Sequence, residues 1–160
     1  MKKEKNNFRP FDQYLQWFRV LLRLNAPLII FIPPQGKESG GYDLEEFIHH
    51  HRPNSYLTRI YVVPISQLPL YRERPRIKSI MEEINHRDRR FKFHHPDYIV
   101  VIYSKFYFLE RSLEDNPFAS QYFFWIDAGY FRQDIDEDLF RSPWPDKTKI
   151  RGLDETRLLV

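Results

Sequence analysis

The chain has no cysteine and only 5 glycines among its 160 residues. The first absence excludes disulfides and thiolate metal sites and fits a reducing, cytoplasmic setting. The second goes with the lack of any phosphate-cradling loop: neither G-x-G-x-x-G nor G-x-x-x-x-G-K occurs. Long apolar runs are missing too. The longest aliphatic stretch, residues 28–32, is far too short to span a membrane, and the polar opening Met1-Lys2-Lys3-Glu4-Lys5-Asn6-Asn7 has no signal-peptide core. Charge of one sign is scarce as well, since 25 Lys+Arg stand against 22 Asp+Glu for a net +3. In the most basic stretches, 72–78 and 87–92, acidic residues are interspersed, which blunts the field and argues against nucleic acid as the partner.

What the chain does have is aromatic mass, with 14 Phe and 10 Tyr in a composition that is 42 % apolar. That is enough for a folded core and excludes a disordered chain. The length fits one domain or a piece of one. The most telling segment is Phe123-Phe124-Trp125-Ile126-Asp127-Ala128-Gly129-Tyr130-Phe131-Arg132. A short apolar run, 122–126, that ends in turn residues reads as a strand buried on both faces. Asp127 then stands at the strand's carboxyl end, where open α/β sheets bind ligands. The competing reading is a strand-end carboxylate that caps a turn. Gly129 allows a sharp turn or a close backbone approach.

The remaining pattern alternates. Residues 10–24 carry Phe11, Tyr14, Leu15, Phe18, Leu21 and Leu22 at helical spacing after Pro10. Residues 28–32 read as a strand closed by Pro33-Pro34. Asp43, with Glu46 three residues on, caps a short helix that ends at Arg52-Pro53. Residues 57–63 are the next strand, and Ile77, Ile80, Met81 and Ile84 mark a helix. Residues 97–114 form one long helix on the spacing of Tyr98, Val101, Ile102, Lys105, Leu109 and Leu113, ended by Asn116-Pro117. This order predicts an α/β fold: a layered, mostly parallel sheet, with strands 28–32, 57–63 and 122–126 adjacent and helices flanking it. The expected organisation is a polar tail over 1–9, one domain over 10–140, and a loop-rich segment over 141–160. Three strands are few for a self-standing parallel sheet, and Leu158-Leu159-Val160 begins an apolar run that stops, so the chain is expected to be an incomplete piece of a larger domain.

Other candidate chemistry has bland explanations. His49-His50-His51 at a helix end suits the negative end of the helix dipole. His94-His95 with Asp97 would need another ligand from elsewhere to hold zinc. The run Asp134-Ile135-Asp136-Glu137-Asp138 could serve a hard divalent cation or simply be a solvated loop or helix start. The stretches 72–78 and 87–92 interleave basic and aromatic residues, which can bind a polyanion, or form solvated helix faces. No Ser/His/Asp or Cys/His order appears, and Ser104 lacks the strained elbow of an exposed nucleophile.

Three segments in order carry a resemblance. They are Ala26-Pro27-Leu28-Ile29-Ile30-Phe31, Tyr103-Ser104-Lys105-Phe106-Tyr107-Phe108, and Asn116-Pro117-Phe118 followed by Trp125-Ile126-Asp127-Ala128-Gly129-Tyr130-Phe131-Arg132. Over residues 10–132 the chain resembles the HtrL/YibB family, which is similar to glycosyltransferases of the Rossmann-like GT-A type. The resemblance implies a transferase that moves sugar from a nucleotide-sugar donor to an acceptor with the help of Mn²⁺ or Mg²⁺. It implies that Asp127 is the first carboxylate of the metal-holding Asp-x-Asp motif, with Gly129 in the second position and Asp134 or Asp136 as a replacement carboxylate. Lys105 is implied to be a cation on the diphosphate side, and Arg132 a phosphate contact. The family's domain begins with a further strand and continues past the Asp-Ala-Gly segment, which agrees with an incomplete and inactive piece. The alternative function is a non-catalytic module that binds a protein or polyanion through residues 72–92.

Overall fold

The structure, a computed structural model, describes residues 10–37, 39–87, 95–132 and 138–152. It is a mixed α/β architecture with a two-stranded parallel sheet among the described residues. Helix α1 (Phe11–Leu21) starts after Pro10, whose carbonyl accepts the Gln13 N–H at 3.1 Å. Strand β1 (Leu28–Ile32) leads through helix α2 (Leu44–His51) to strand β2 (Thr58–Val62), a parallel unit in register from Leu28 opposite Thr58 to Ile32 opposite Val62. The Asp43 cap forms as the spacing predicts: its Oδ1 accepts the Glu46 N–H at 2.9 Å. Short 3-10 turns lead into α3 (Arg74–Arg87), followed by α4 (Pro96–Tyr103), α5 (Lys105–Asp115), α6 (Asp138–Arg141) and α7 (Lys147–Ile150).

Alternation along the strands splits the core in two. Ile30 and Ile32 pack with Phe18, Leu21, Leu22 and Leu24 at and beyond the end of α1, and with Leu44 and Ile48 of α2. Phe31 and Tyr61 point the other way, toward Val100 of α4 and Phe108 of α5. Phe31 lies 4.8 Å from Phe108 and is stacked at 5.3 Å on Tyr61. Phe131, Phe140 and Trp144 close the first cluster from the far end of the chain.

Arg52, which sequence reading treats only as a helix end, is 4 % exposed and fastens this unit. Its guanidinium donates to the carbonyls of Leu22, Leu24 and Ala26 and to Thr58 Oγ1. One side chain thus satisfies carbonyls at the end of α1 that no helical N–H reaches. Burial lowers its pKa to about 10, so it stays charged at neutral pH.

Three expectations need correction. The helix over 97–114 is two helices, because Ser104 leaves helical geometry (φ −90°, ψ 7°) and its Oγ donates to the Val100 carbonyl at 2.7 Å. Such back-bonding from Ser competes with the helical ladder. Helix α1 stops at Leu21 rather than Leu24, since the Arg23 and Leu24 N–H groups bond three residues back, to Val20 and Leu21. Residues 122–126 do not form a strand adjacent to the others. Residues 123–126 make no backbone–backbone hydrogen bond among the described residues. Side chains hold the segment instead: Trp125 stacks on Phe108 at 5.9 Å, and Phe124 meets Trp144 edge-on at 5.8 Å. Apolar periodicity reports burial, and here burial comes without a neighbouring strand.

Candidate functional site

The site is built where α5 begins and the 122–132 segment turns. Lys105 is the first residue of α5, placed by the break at Ser104. Asn116 ends α5 in the left-handed region (φ 32°), which Asn tolerates better than most residues. Its side chain then grips the next loop in both directions. Oδ1 accepts the Ser120 N–H at 2.8 Å, and Nδ2 donates to the Ser120 carbonyl at 3.1 Å. The loop returns the chain so that Asp127 meets Lys105.

Lys105 Nζ lies 3.2 Å from Asp127 Oδ1 and 3.5 Å from Oδ2. The Trp125 indole N–H donates to Oδ1 at 2.9 Å, and Lys105 Nζ sits 5.3 Å from the centre of the Trp125 ring. Three side chains therefore fix one another. Partial burial by itself would raise the Asp127 pKa. The Trp125 and Lys105 hydrogen bonds, then the Lys105 and Arg132 charges, outweigh it and hold the carboxyl below its ordinary value. Asp127 remains 63 % exposed, so the ion pair is worth under about 1 kcal/mol to folding. A carboxylate sequestered at the end of a core strand is not what the structure has.

The turn beyond it is also fixed. The Tyr130 N–H donates to the Asp127 carbonyl at 2.9 Å, and Arg132 Nε donates to the Gly129 carbonyl at 2.9 Å. The Arg132 guanidinium lies 5.2 Å from the Trp17 ring centre on α1. Gly129 is pressed against the same helix: a Cβ there would stand 3.1 Å from Trp17 Cε3 and 3.2 Å from Tyr14 Cδ1. Close approach, one of the two roles its sequence position suggests, is the one this packing requires.

Asp127 lies on the wall of an open groove of about 1830 Å³. One bank is the whole of β1, and the other is the returning segment 118–128.

The remaining candidates separate from this place or fall outside the described residues. Asp134 and Asp136 lie outside the described residues, as does His94. His95 serves as the N-cap of α4, its Nδ1 accepting the Asp97 N–H at 3.3 Å, while Asp97 is paired with Arg74 of α3. His51 sits edge-on to Phe47 at 4.5 Å, and burial, with His50 and Arg19 nearby, lowers its pKa. It therefore favours the neutral form, which gains little from the helix dipole. In the basic stretch, Arg72 pairs with Glu73, Arg74 with Asp97 and Lys78 with Glu82, which spends much of its charge internally.

Among the described residues there is no group of three or more His, Cys, Asp or Glu placed to hold a metal. Asp127 is a lone carboxylate already engaged by a cation, and Tyr14 and Trp17 occupy the room a second carboxylate at position 129 would need. These residues alone do not fit Mn²⁺ or Mg²⁺, whose sites take several oxygen ligands. The contribution of Trp125 is missed by reading the sequence, because an aromatic in an apolar run signals core; the only cue is an indole donor two residues before a carboxylate. No described helix is long and apolar enough to cross a membrane.

No curated protein and no solved structure matches the chain. Residues 2–151 match the family described as "Bacterial protein of unknown function (HtrL_YibB)", so the chain belongs to the HtrL/YibB family.

Proposed function

We propose that this chain is a glycosyltransferase-like protein whose Lys105–Asp127 site takes the diphosphate and sugar of a nucleotide-sugar donor for transfer to an acceptor. The observation that carries the reading is the interlocked Lys105, Asp127 and Trp125 cluster, of which Asp127 and Trp125 line a groove of about 1830 Å³. Two cations, Lys105 and Arg132, act on one carboxylate there, so the local charge suits a phosphate. The Lys105 ammonium has three donors and faces Asp127 with only part of that capacity. In sugar transfer an acceptor hydroxyl oxygen bonds to the sugar carbon and gives up its proton to solvent, while the bond between that carbon and the diphosphate oxygen breaks and negative charge grows on the leaving diphosphate. A fixed ammonium beside it stabilises that charge without reorganising. Asp127, held by Trp125, orients Lys105 and offers its other oxygen to a sugar hydroxyl.

The test is calorimetric titration of UDP, GDP and their glucose conjugates, each with and without Mn²⁺, on wild type, Lys105→Ala and Asp127→Asn. Saturable binding that weakens at least 10-fold in Lys105→Ala supports the reading. Binding that appears only with Mn²⁺ and vanishes in Asp127→Asn would restore the carboxylate as a metal ligand. Equal binding by all three proteins, or none, removes the sugar-donor reading. That outcome would leave the non-catalytic module binding through residues 72–92.

A further inference from the structure

The groove beside the site has a shape that a small molecule does not explain. Its volume of about 1830 Å³ exceeds the roughly 300–1,000 Å³ usual for small-ligand pockets. Among the described residues lining it, only Asp127 and Arg151 are formally charged. One bank is β1, which among the described residues pairs along one edge only, with β2. The opposite bank includes residues 123–126, whose backbone makes no backbone–backbone hydrogen bond among the described residues. Phe124 is 43 % exposed and Trp125 38 % exposed. A row of unpaired N–H and C=O groups in an apolar trough is costly and is the usual template for an added strand. Only another extended backbone offers donors and acceptors at the strand repeat, and only apolar side chains suit both faces.

We propose that this groove receives an extended, uncharged apolar strand that pairs with the free edge of β1 and is covered by Phe124 and Trp125. The strand comes from outside these 160 residues. β1 has five residues to pair. The stretches not described in the structure, 1–9, 38, 88–94, 133–137 and 153–160, never offer more than three uncharged residues in succession. Asn6-Asn7-Phe8 and Leu158-Leu159-Val160 are the longest. Each is too short to fill the edge, and burying the neighbouring charges unpaired would be expensive. The inference stands on backbone pairing and does not rest on the sugar-donor reading.

The test uses the capped peptide Lys-Val-Ile-Val-Ile-Val-Lys and a copy N-methylated at its five central residues, which keeps the apolar side chains but blocks strand pairing. Binding is followed by fluorescence anisotropy, and amide hydrogen exchange locates it. The expected result is saturable binding of the first peptide and slowed exchange within residues 28–32 and 123–126. Affinity should fall at least 10-fold for the methylated copy. Phe124→Asp, at a half-exposed position on the far bank, should also weaken binding at least 10-fold while leaving the far-ultraviolet circular dichroism unchanged. Absence of saturable binding, equal binding of the methylated copy, or protection confined to other segments would overturn the proposal.

Discussion

Gly129 is the position where the proposed Asp-x-Asp reading and the packing of this chain meet most sharply, and Gly129→Ala and Gly129→Asp test which one decides. Attractive carbon–carbon contact is best at about 3.5–4.0 Å. An added Cβ would reach 3.1 Å from Trp17 Cε3 and 3.2 and 3.4 Å from two ring atoms of Tyr14. Both rings belong to α1, so a shift of a few tenths of an ångström must be shared by a helix in the core. Overpacking of this kind costs about 1–3 kcal/mol. Replacing glycine lowers the entropy of the unfolded chain, which returns about 0.4–1 kcal/mol. Gly129→Ala should therefore lose roughly 1 kcal/mol, which lowers Tm by about 2–4 °C for a chain of this size. Gly129→Asp adds a carboxylate beyond that Cβ and should lose more, while also displacing Asp127 two residues away. Urea and thermal unfolding measure the first effect, and calorimetric titration of Mn²⁺ measures whether a second carboxylate creates a metal site. A Gly129→Asp protein as stable as wild type that binds Mn²⁺ at micromolar concentration would refute the reasoning. It would mean that Tyr14 and Trp17 yield freely.

Three further substitutions probe the supports of the site. Arg52→Met removes the donor shared by the carbonyls of Leu22, Leu24 and Ala26, and leaves buried acceptors unpaired. It should cost about 3 kcal/mol or more in urea unfolding, because orphaned buried acceptors lose about 1–3 kcal/mol each. Asn116→Gly keeps a residue at ease with φ 32° but loses both side-chain bonds to Ser120. It should cost about 1 kcal/mol and, on the proposed function, weaken nucleotide binding, whereas Asn116→Ala, strained as well, should cost more on both measures. The Asp127 carboxyl titrates lower in the folded state than in the unfolded chain, so its contribution to stability is present above the unfolded value near pH 4. That contribution is lost as pH falls through the lower folded value. Thermal melts of wild type and Asp127→Asn should differ by under about 1 kcal/mol at pH 7 and converge below about pH 4, and a gap that widens on acidification would contradict the sign.

Local signals are legible at helix starts and caps, although the Ser104 bond to Val100 that divides residues 97–114 shows that a local side chain can also escape the pattern. Asp43 caps α2, Pro10 precedes α1, and the parallel pair β1–β2 with its crossover helix follows from apolar runs split by a capped helical period. The family-like order of residues also pointed to Lys105 and Asp127, which the fold brings to 3.2 Å. The largest miss has another cause. Residues 122–126 have the composition of a buried strand, but a strand exists only when another backbone lies beside it, and sequence periodicity reports side-chain burial rather than backbone pairing. The same blindness hid Arg52, whose partners lie 26 to 30 residues back along the chain, and Trp125, whose indole looks like core but holds a carboxylate.

These misses bear on how the site works. An exposed ion pair between Lys105 and Asp127 would ordinarily be mobile and weak. Here its geometry is enforced from both sides. Ser104 breaks the helix so that Lys105 starts a new one, and the Asn116 clamp, the Trp125 indole and the Gly129 contact with α1 fix where Asp127 falls. Trp125 serves two settings at once, since its ring stacks on Phe108 of the core while its N–H holds Asp127. Whatever seats itself along the 123–126 bank therefore presses on the ring that orients the carboxylate. A strand docked against β1 would stiffen Trp125 and with it the Lys105–Asp127 pair, so strand binding and phosphate binding should favour each other. Linkage then requires that a nucleoside diphosphate raise the affinity of the Val/Ile peptide by the same factor as the peptide raises that of the nucleotide.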